Sequence, residues 1–184
     1  MNNSELIKEA KKGSAAAQKW LFDQFSEKML IICKRYVKNE TEAEELLLNG
    51  FFKFFKKISS FQYQGDAALY AWLKQIMIYE CLMFLRKKQV FTIVTESVAE
   101  EISLQEEALD NLSAEEIYRL IMQLPVGYRT VFNLCAVEGM AHAEIAKLLN
   151  ISEGTSRSQF SKAKTLLQKL LIQNDIDYVK RRSK

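Results

Sequence analysis

Proline and glycine are scarce in this sequence of 184 residues, which holds one Pro and 6 Gly. Sandwiches and barrels need such turn residues at their strand reversals, so we expect an all-helical chain. The single histidine, His142, excludes a site built on several imidazoles, and no CxxC or HExxH spacing is present to hold zinc. Cys33, Cys81 and Cys135 are far apart and cannot all pair, which argues against a disulfide-stapled secreted protein and favours a reducing compartment.

Long apolar runs are missing as well. No stretch approaches the roughly 18 apolar residues that a transmembrane helix needs, and the first ten residues are polar, without an apolar signal core. We therefore expect a cytoplasmic protein. No nucleophile and base arrangement, phosphate-binding loop or metal-ligand spacing is found, so the sequence predicts neither an enzyme nor a cofactor or metal site.

The charges that are present are unevenly distributed along the chain. The net charge is +3, and 48% of the residues are hydrophobic, as in a globular protein. Residues 1–88 carry 15 basic and 10 acidic side chains, residues 89–117 carry no basic and 8 acidic ones, and residues 118–184 carry 11 and 5. The net charges are +5, −8 and +6. Two basic blocks joined by an acidic strip indicate two modules that face a polyanion, with a connector that avoids or imitates it.

Helix caps and apolar repeats divide residues 1–88 into four predicted helices, which form a first domain. The predicted helix starts are Asn3 or Ser4, Ser14, Thr41 in a capping box with Glu44, and Ala67. The second helix repeats apolar residues at helical spacing: Ala17, Trp20, Leu21, Phe25, Met29, Ile32 and Tyr36. Residues 89–112 have no helical stripe and are acidic in their second half, so we interpret them as a linker.

Residues 113–184 form a second predicted domain that holds the most specific pattern. A capping box of Ser113 and Glu116 starts a helix that should stop near Pro125, and a further helix over 126–138 closes at Gly139. Residues 141–149 and 152–173 are then two helices separated by a tight turn. Asn150 tolerates left-handed backbone geometry and Ser152 caps the next helix, as a helix-turn-helix requires.

The second helix of this pair presents short hydroxyls and long cations, which suit phosphates and base edges in a major groove. The candidate DNA-binding residues are Thr155, Arg157, Ser158, Ser161, Lys162 and Lys164. We expect His142 to be structural or to contact a phosphate, since it has no catalytic partner motif. The lone cysteines are expected to be small core residues.

These residues resemble a known family. The run Leu124-Pro125-x-x-Tyr128-Arg129, the run His142-x-Glu144-Ile145-Ala146 and the run Ile151-Ser152-x-Gly154-Thr155 are similar to region 4 of bacterial sigma factors of the extracytoplasmic function (ECF) type. Ala43-Glu-Glu-Leu, Gly65-Asp66 with Trp72-Leu73, and Leu85-Arg86-Lys87 resemble region 2 of the same family. The two stretches and the acidic linker cover nearly the whole chain in the family's order.

The resemblance implies an all-α protein of two small domains, a four-helix region 2 over 1–88 and a helix-turn-helix region 4 over 113–184, joined by the acidic linker 89–112. It implies a sigma factor that binds RNA polymerase core through the coiled coil of the largest subunit and the flap. Region 4 would read a minus-35 element and region 2 a minus-10 element of promoter DNA. A further implied partner is an anti-sigma factor.

The resemblance also assigns residues in region 2. Strand opening needs an extruded base to be held, and the loop with Phe61, Tyr63 and Gly65 offers aromatic faces. The residues expected at the melted minus-10 strand are Phe61, Tyr63, Lys74, Gln75 and Tyr79. Those expected to contact polymerase core, on the third helix, are Glu45, Leu48, Asn49, Phe52 and Phe55. Leu48-Asn49, Tyr79 and Met83 depart from the family pattern.

Two other classes of protein remain open on the sequence. A helix-turn-helix transcriptional regulator that is not a polymerase subunit would bind a palindrome without polymerase. A pure interaction module would show negligible, weakly salt-dependent binding to any duplex. An enzyme is the poorest of the interpretations.

Overall fold

The structure is a computed structural model that describes residues 2–88 and 113–182, with side-chain surroundings up to residue 173. The chain forms two compact units, residues 1–88 and 89–184. The described residues form helices and connecting turns, with no strand among them, so the prediction of an all-α protein is confirmed. The predicted linker, 89–112, lies outside the described residues.

The first unit is built from four helices in which α2, α3 and α4 pack against one another and α1 packs on α2. Their bounds are Asn3–Lys11 (α1), Ala15–Tyr36 (α2), Glu40–Lys57 (α3) and Asp66–Lys87 (α4), with a short 3-10 turn at Ile58–Ser60. Helix α4 is long and apolar enough to cross a membrane by length and composition alone. Its Leu69, Leu73 and Met77 are buried inside this unit, which accounts for that apolar content.

Helix starts in the first unit follow local capping chemistry. Ser14 caps α2 as predicted, accepting a hydrogen bond from the Ala17 amide at 3.4 Å. The predicted caps of α1 and α3 were wrong, because Asn2 and Asn39 cap these helices instead. Asn39 accepts from the Glu42 amide at 3.0 Å. Asparagine is a better cap than threonine, and starting α3 before Thr41 also places acidic residues in the positive first turn.

The predicted apolar face of α2 is buried with one exception. Trp20 is 66% exposed, whereas the other apolar residues of the repeat face the core. Trp20 directly precedes the fully buried Leu21 and is therefore rotated by about 100° from it around the helix. Cys33 and Cys81 are also buried in this unit. A hydrogen bond with Cys33, together with burial, raises the pKa of the Cys81 thiol, so Cys81 packs as a neutral core side chain.

The second unit consists of α5 to α8, with α5, α6 and α7 all packed on α8. Their bounds are Ala114–Ile121 (α5), Val126–Phe132 (α6), His142–Leu149 (α7) and Glu153–Arg182 (α8), and a π-helical turn at Asn133–Val137 follows α6. In that turn the Glu138 amide donates to the Asn133 carbonyl at 3.0 Å, five residues back. Helix α8 runs past its predicted end at Gln173 to Arg182.

Candidate nucleic-acid interface

The helix-turn-helix of the second unit is held by its turn. Asn150 adopts the left-handed conformation (φ 57°, ψ 49°), and the Ile151 amide donates to the Ala146 carbonyl at 3.0 Å. Ser152 then caps α8, its Oγ accepting from the Thr155 amide at 2.9 Å. Ala146 is buried, so its small side chain allows α8 to approach α7. The sequence therefore fixes the angle between the two helices by one left-handed residue and one cap.

His142 ties the two helices of the motif together. Its Nδ1 lies 2.9 Å from Oγ of the fully buried Ser156, and its ring meets the edge of Phe160 with centroids 5.6 Å apart. On the other side, Nε2 lies 3.9 Å from Sγ of Cys135. Of the two roles expected for His142, these contacts support the structural one.

Helix α8 turns most of the predicted DNA-binding residues toward solvent. Arg157, Ser158, Ser161 and Lys164 are exposed. Ser161 follows Arg157 and Ser158 by four and three residues, and Lys164 follows Ser161 by three, so they line one side of the helix. Thr155 and Lys162 are half-buried and flank this side. We call these six residues the α8 face. It combines hydrogen-bond donors with positive charge, as contacts to phosphates and base edges require.

Cations of the α8 face already have partners within the chain. Arg157 forms an ion pair with Glu153 one turn earlier, and Lys164 Nζ lies 5.1 Å from the centre of the Phe160 ring. Both interactions are at the surface and are weak, so a phosphate can replace them. Arg129, in contrast, is buried and donates from Nη1 to the Leu124 carbonyl at 3.0 Å. Burial lowers the pKa of Arg129, opposed by Tyr118, and the guanidinium serves the fold rather than DNA.

In the first unit, residues 61–65 form an extended loop between the 3-10 turn and α4. Phe61 stacks on Trp72 with ring centroids 4.6 Å apart and planes inclined by 4°, and the hydroxyl of Tyr63 donates to Asp66. Gln62 and Gln64 are exposed, in alternation with the half-buried Phe61 and Tyr63. The aromatic rings predicted to hold a base are therefore partly engaged with the domain, while two amide side chains point outward.

Asp66, the first residue of α4, accepts hydrogen bonds directly after this loop. Its Oδ1 accepts hydrogen bonds from the Tyr63 hydroxyl and from Asn3 Nδ2, the latter at 2.9 Å. These bonds, the one from Tyr63 first, lower the pKa of Asp66. The same bond raises the pKa of Tyr63, so the pair is held as a carboxylate accepting from a neutral phenol.

The outer face of α4 continues from the loop. Gln75, Tyr79 and Met83 are exposed at spacings of four residues, with Tyr79 49% exposed, while Lys74 is half-buried beside this stripe. The next residue after Tyr79 is the buried Glu80, whose carboxylate accepts from Lys53 Nζ at 2.6 and 2.7 Å. This pair joins α4 to α3 and fixes the direction in which Tyr79 points.

Helix α3 carries an exposed apolar patch among the predicted polymerase contacts. Leu48 is 59% and Phe52 66% exposed, and Glu45 and Asn49 are exposed on the same side of the helix. We call these four residues the α3 face. The fifth predicted residue, Phe55, is half-buried, and its ring packs on Phe51 and Phe54 with centroid distances of 5.9 and 5.0 Å. Phe55 therefore packs against buried rings of α3 and is not part of the exposed α3 face.

Contacts from α1 to the loop were missed by the sequence reasoning. Lys11 Nζ donates to the Phe61 carbonyl, across 50 residues of chain, and Asn3 bonds Asp66 across 63. No local pattern could have revealed them, because each depends on how α1 packs. Within the described ranges, no three potential metal-ligating side chains come together.

Two family profiles match this chain. Sigma-70 region 2 matches residues 21–90, within the first unit but for its last two residues, and sigma-70 region 4 matches residues 114–167 of the second unit. The loop, α3 and α4 thus lie in the region 2 match, and the helix-turn-helix lies in the region 4 match.

Whole proteins that match this chain are sigma factors. The RNA polymerase sigma-H factor of Pseudomonas aeruginosa is 27% identical over an alignment of 183 residues. The match covers 92% of this chain and 93% of that protein. The ECF RNA polymerase sigma factor SigW of Bacillus subtilis is 28% identical over 179 residues, 90% of this chain and 94% of that one. A solved structure of the sigma factor RpoE with the anti-sigma factor NepR from Bartonella quintana aligns over 83% of this chain and 95% of that one, at 21% identity and a TM-score of 0.49.

Proposed function

This chain belongs to the sigma-70 family, in its ECF branch, and from that premise we propose that it directs RNA polymerase to promoters through separate surfaces on its two units. It acts as a sigma factor in promoter-specific transcription initiation. The α8 face reads the minus-35 element, the loop 61–65 with the outer face of α4 handles the minus-10 strand, and the α3 face binds polymerase core.

The α8 face carries the proposal for the second unit. A helix-turn-helix whose second helix turns Arg157, Ser158 and Ser161 to solvent has the donors that a major groove accepts. Because cations dominate such contacts, binding to a duplex falls steeply with salt. His142 and Ser156 keep α7 and α8 at a fixed angle, which supports one docking geometry.

The first unit supports strand opening and polymerase binding. A base taken out of the stack must be held on a ring or by an amide, and the loop offers Tyr63 with Gln62 and Gln64 beside it. Lys74 and Gln75 lie next on α4 for the strand backbone, and Tyr79 is exposed beyond them. The exposed Leu48 and Phe52 of the α3 face give polymerase core an apolar contact, and Glu45 and Asn49 give it a polar rim.

Partners and location follow from the family. The partners are RNA polymerase core, through the largest-subunit coiled coil and the flap, promoter DNA, and an anti-sigma factor, as in the aligned complex of RpoE with NepR. The protein acts in the cytoplasm and catalyses no reaction of its own, since its contribution is to position polymerase and DNA.

Run-off transcription tests the proposal. Purified bacterial core polymerase is given genomic DNA fragments with and without this protein, and defined transcripts are expected only with it. Arg157→Ala combined with Lys162→Ala should abolish them. Arg119→Ala, which removes an exposed cation of α5 paired to Glu115, is the matched control and should leave them unchanged.

A different pattern would contradict the proposal. Absence of transcripts, together with tight salt-sensitive binding to a palindromic duplex without polymerase, would assign the chain to ordinary helix-turn-helix regulators. Absence of both activities would leave only a protein-interaction module.

A further inference from the structure

Helix α1 is attached to the first residue of the loop and to Asp66, the residue of α4 that directly follows the loop. At the start, Lys11 Nζ donates to the Phe61 carbonyl, and just after the far end Asn3 Nδ2 donates to Asp66 Oδ1 at 2.9 Å. Asp66 also accepts a hydrogen bond from Tyr63, the middle residue of the loop. The carboxylate of Asp66 therefore links Asn3 to Tyr63. Two residues at opposite ends of one nine-residue helix therefore hold a five-residue loop.

Helix α1 is itself firmly placed. Leu6 and Ile7 are buried, and the helix packs on α2 and on the 3-10 turn that leads into the loop. A reciprocal capping box of Asn2 and Glu5 closes its first turn. A rigid element that is anchored in the core can impose its own position on a flexible neighbour.

The loop is otherwise held by side-chain contacts, since Phe61 stacks on Trp72 and Tyr63 donates to Asp66. Helical hydrogen bonds reach its two ends, where the Phe61 amide donates to the Ile58 carbonyl and the Gly65 carbonyl accepts from the Leu69 amide. Gly65 has φ +106°, with no atom within 4 Å of the place where a Cβ would lie. A loop that samples many conformations must be ordered when it takes up a strand, and this entropy is subtracted from the affinity. Holding the loop beforehand removes part of that cost.

We propose that α1 is a brace that holds the loop 61–65 in place, and that Lys11 and Asn3 are positioning residues for promoter opening. The inference rests on the function proposed above for residues 61–65. Lys11 acts through the Phe61 carbonyl and Asn3 through the Asp66 carboxylate, and neither needs to touch DNA. The brace affects strand opening and leaves polymerase binding and duplex reading unchanged.

The test uses the full chain with core polymerase on a promoter identified by the run-off experiment. Opening is measured as the permanganate reactivity of unpaired thymines. Lys11→Met keeps the aliphatic stem and removes the donor, and it should lower the open fraction roughly threefold to tenfold, the scale of one solvent-exposed hydrogen bond. Lys11→Arg restores a donor and should recover most of the opening. Asn3→Ala should also reduce opening.

Lys12→Met is the matched control, because Lys12 follows Lys11 in the sequence but pairs with Glu9 of α1, at 2.8 Å, instead of with the loop. It should open the promoter like the unchanged chain. Polymerase binding and duplex binding are measured for every variant and should not change. A general folding defect would lower these as well and would not be recovered by Lys11→Arg.

The outcomes separate the brace from the function on which it rests. If the unchanged chain gives no transcripts and no opening, the proposed function is contradicted. If it opens the promoter and the Lys11→Met and Asn3→Ala variants open it equally well, only the brace is overturned. Equal losses of opening and of polymerase binding in these variants would also overturn it.

Discussion

At the scale of single residues, Asp66 determines how the loop responds to acid. Its carboxylate lies in the first turn of α4, where the helix dipole favours a negative charge, and it accepts from Tyr63 and Asn3. Both bonds lower the pKa of Asp66. A carboxyl whose folded pKa is lowered contributes stability above its unfolded pKa of about 3.9, and this contribution is lost as pH falls through the folded value. The loop is therefore fully held at neutral pH.

Tyr63→Phe should raise the pKa of Asp66 toward its ordinary value. The hydrogen bond from Tyr63 is the larger cause of the lowering, so Asn3→Ala should raise the pKa by less. The measurement is an NMR titration of the Asp66 carboxyl carbon in each variant. A larger rise with Asn3→Ala than with Tyr63→Phe, or no rise with either, would contradict this account of the loop.

Helical periodicity predicted which side chains are buried at most positions, with Trp20 of α2 as an exception. The exposed side of α8 follows from the apolar spacing of its inner side, and Asn150 and Ser152 indicate the turn by their own backbone and capping preferences. Sequence reasoning could not find Lys11 or the stacking of Phe61 on Trp72, because those contacts are set by packing between distant segments. Which of the candidate side chains contact polymerase or DNA stays a prediction.

At the scale of helices, the first unit depends on a close approach of α3 to α4. Gly50 faces Met77 there, and a Cβ at residue 50 would lie 2.2 Å from Sδ and 2.8 Å from Cε of Met77. Met77 is fully buried, so its side chain has little room to move. The approach also carries the Lys53 to Glu80 ion pair, and it thereby positions both the α3 face and Tyr79.

Gly50→Ala should destabilise the first unit by up to about 2 kcal/mol. Alanine gains about 1 kcal/mol in a helix interior, but the overlap with Met77 costs roughly 1–3 kcal/mol when a core is overpacked. Both tryptophans, Trp20 and Trp72, lie in this unit, so tryptophan fluorescence, excited at wavelengths where tyrosine does not absorb, reports on it alone during urea unfolding.

Two further variants make this prediction specific. Gly127→Ala in α6 is the matched control, because a Cβ there would meet only Gln159, at 3.6 Å or more, and circular dichroism should show no loss of stability. Met77→Ala removes the overlap, so Gly50→Ala combined with it should cost less than the sum of the two changes. Additive losses, or a stable Gly50→Ala variant, would mean that the helices can separate slightly at no cost.

Helix boundaries were predictable only in part. Pro125 and the Ser113 capping box fixed α5 as expected, since both act locally. Asn39 was passed over for Thr41 because the Thr41-Glu44 spacing is also that of a capping box, and only the observed backbone distinguishes the two. The π-helical turn at Asn133–Val137 has no residue signature of its own, so nothing in the sequence indicated it.

At the scale of the whole molecule, charge and exposed apolar surface are distributed differently over the two units. Residues 1–88 and 118–184 have net charges of +5 and +6, and residues 89–117 between them have −8. The exposed apolar residues of the α3 face are in the first unit, whereas the α8 face is in the second. Polymerase binding and duplex reading should therefore be separable by mutation, while transcription requires both.

Leu48→Ala combined with Phe52→Ala should weaken polymerase core binding by roughly tenfold or more, because buried apolar anchors dominate interface energies. Ile31→Ala, an exposed apolar change on α2, is the control and should have little effect. Binding to promoter duplex should stay as salt-dependent as in the unchanged chain.

Arg157→Ala with Lys162→Ala should do the reverse, making the slope of log affinity against log salt less steep by about 1 to 2 while core binding is kept. Each double variant loses transcription for a different reason, so the two proteins mixed together should not restore it, since one polymerase binds one chain. Loss of both activities in either variant would mean that the two surfaces are not independent.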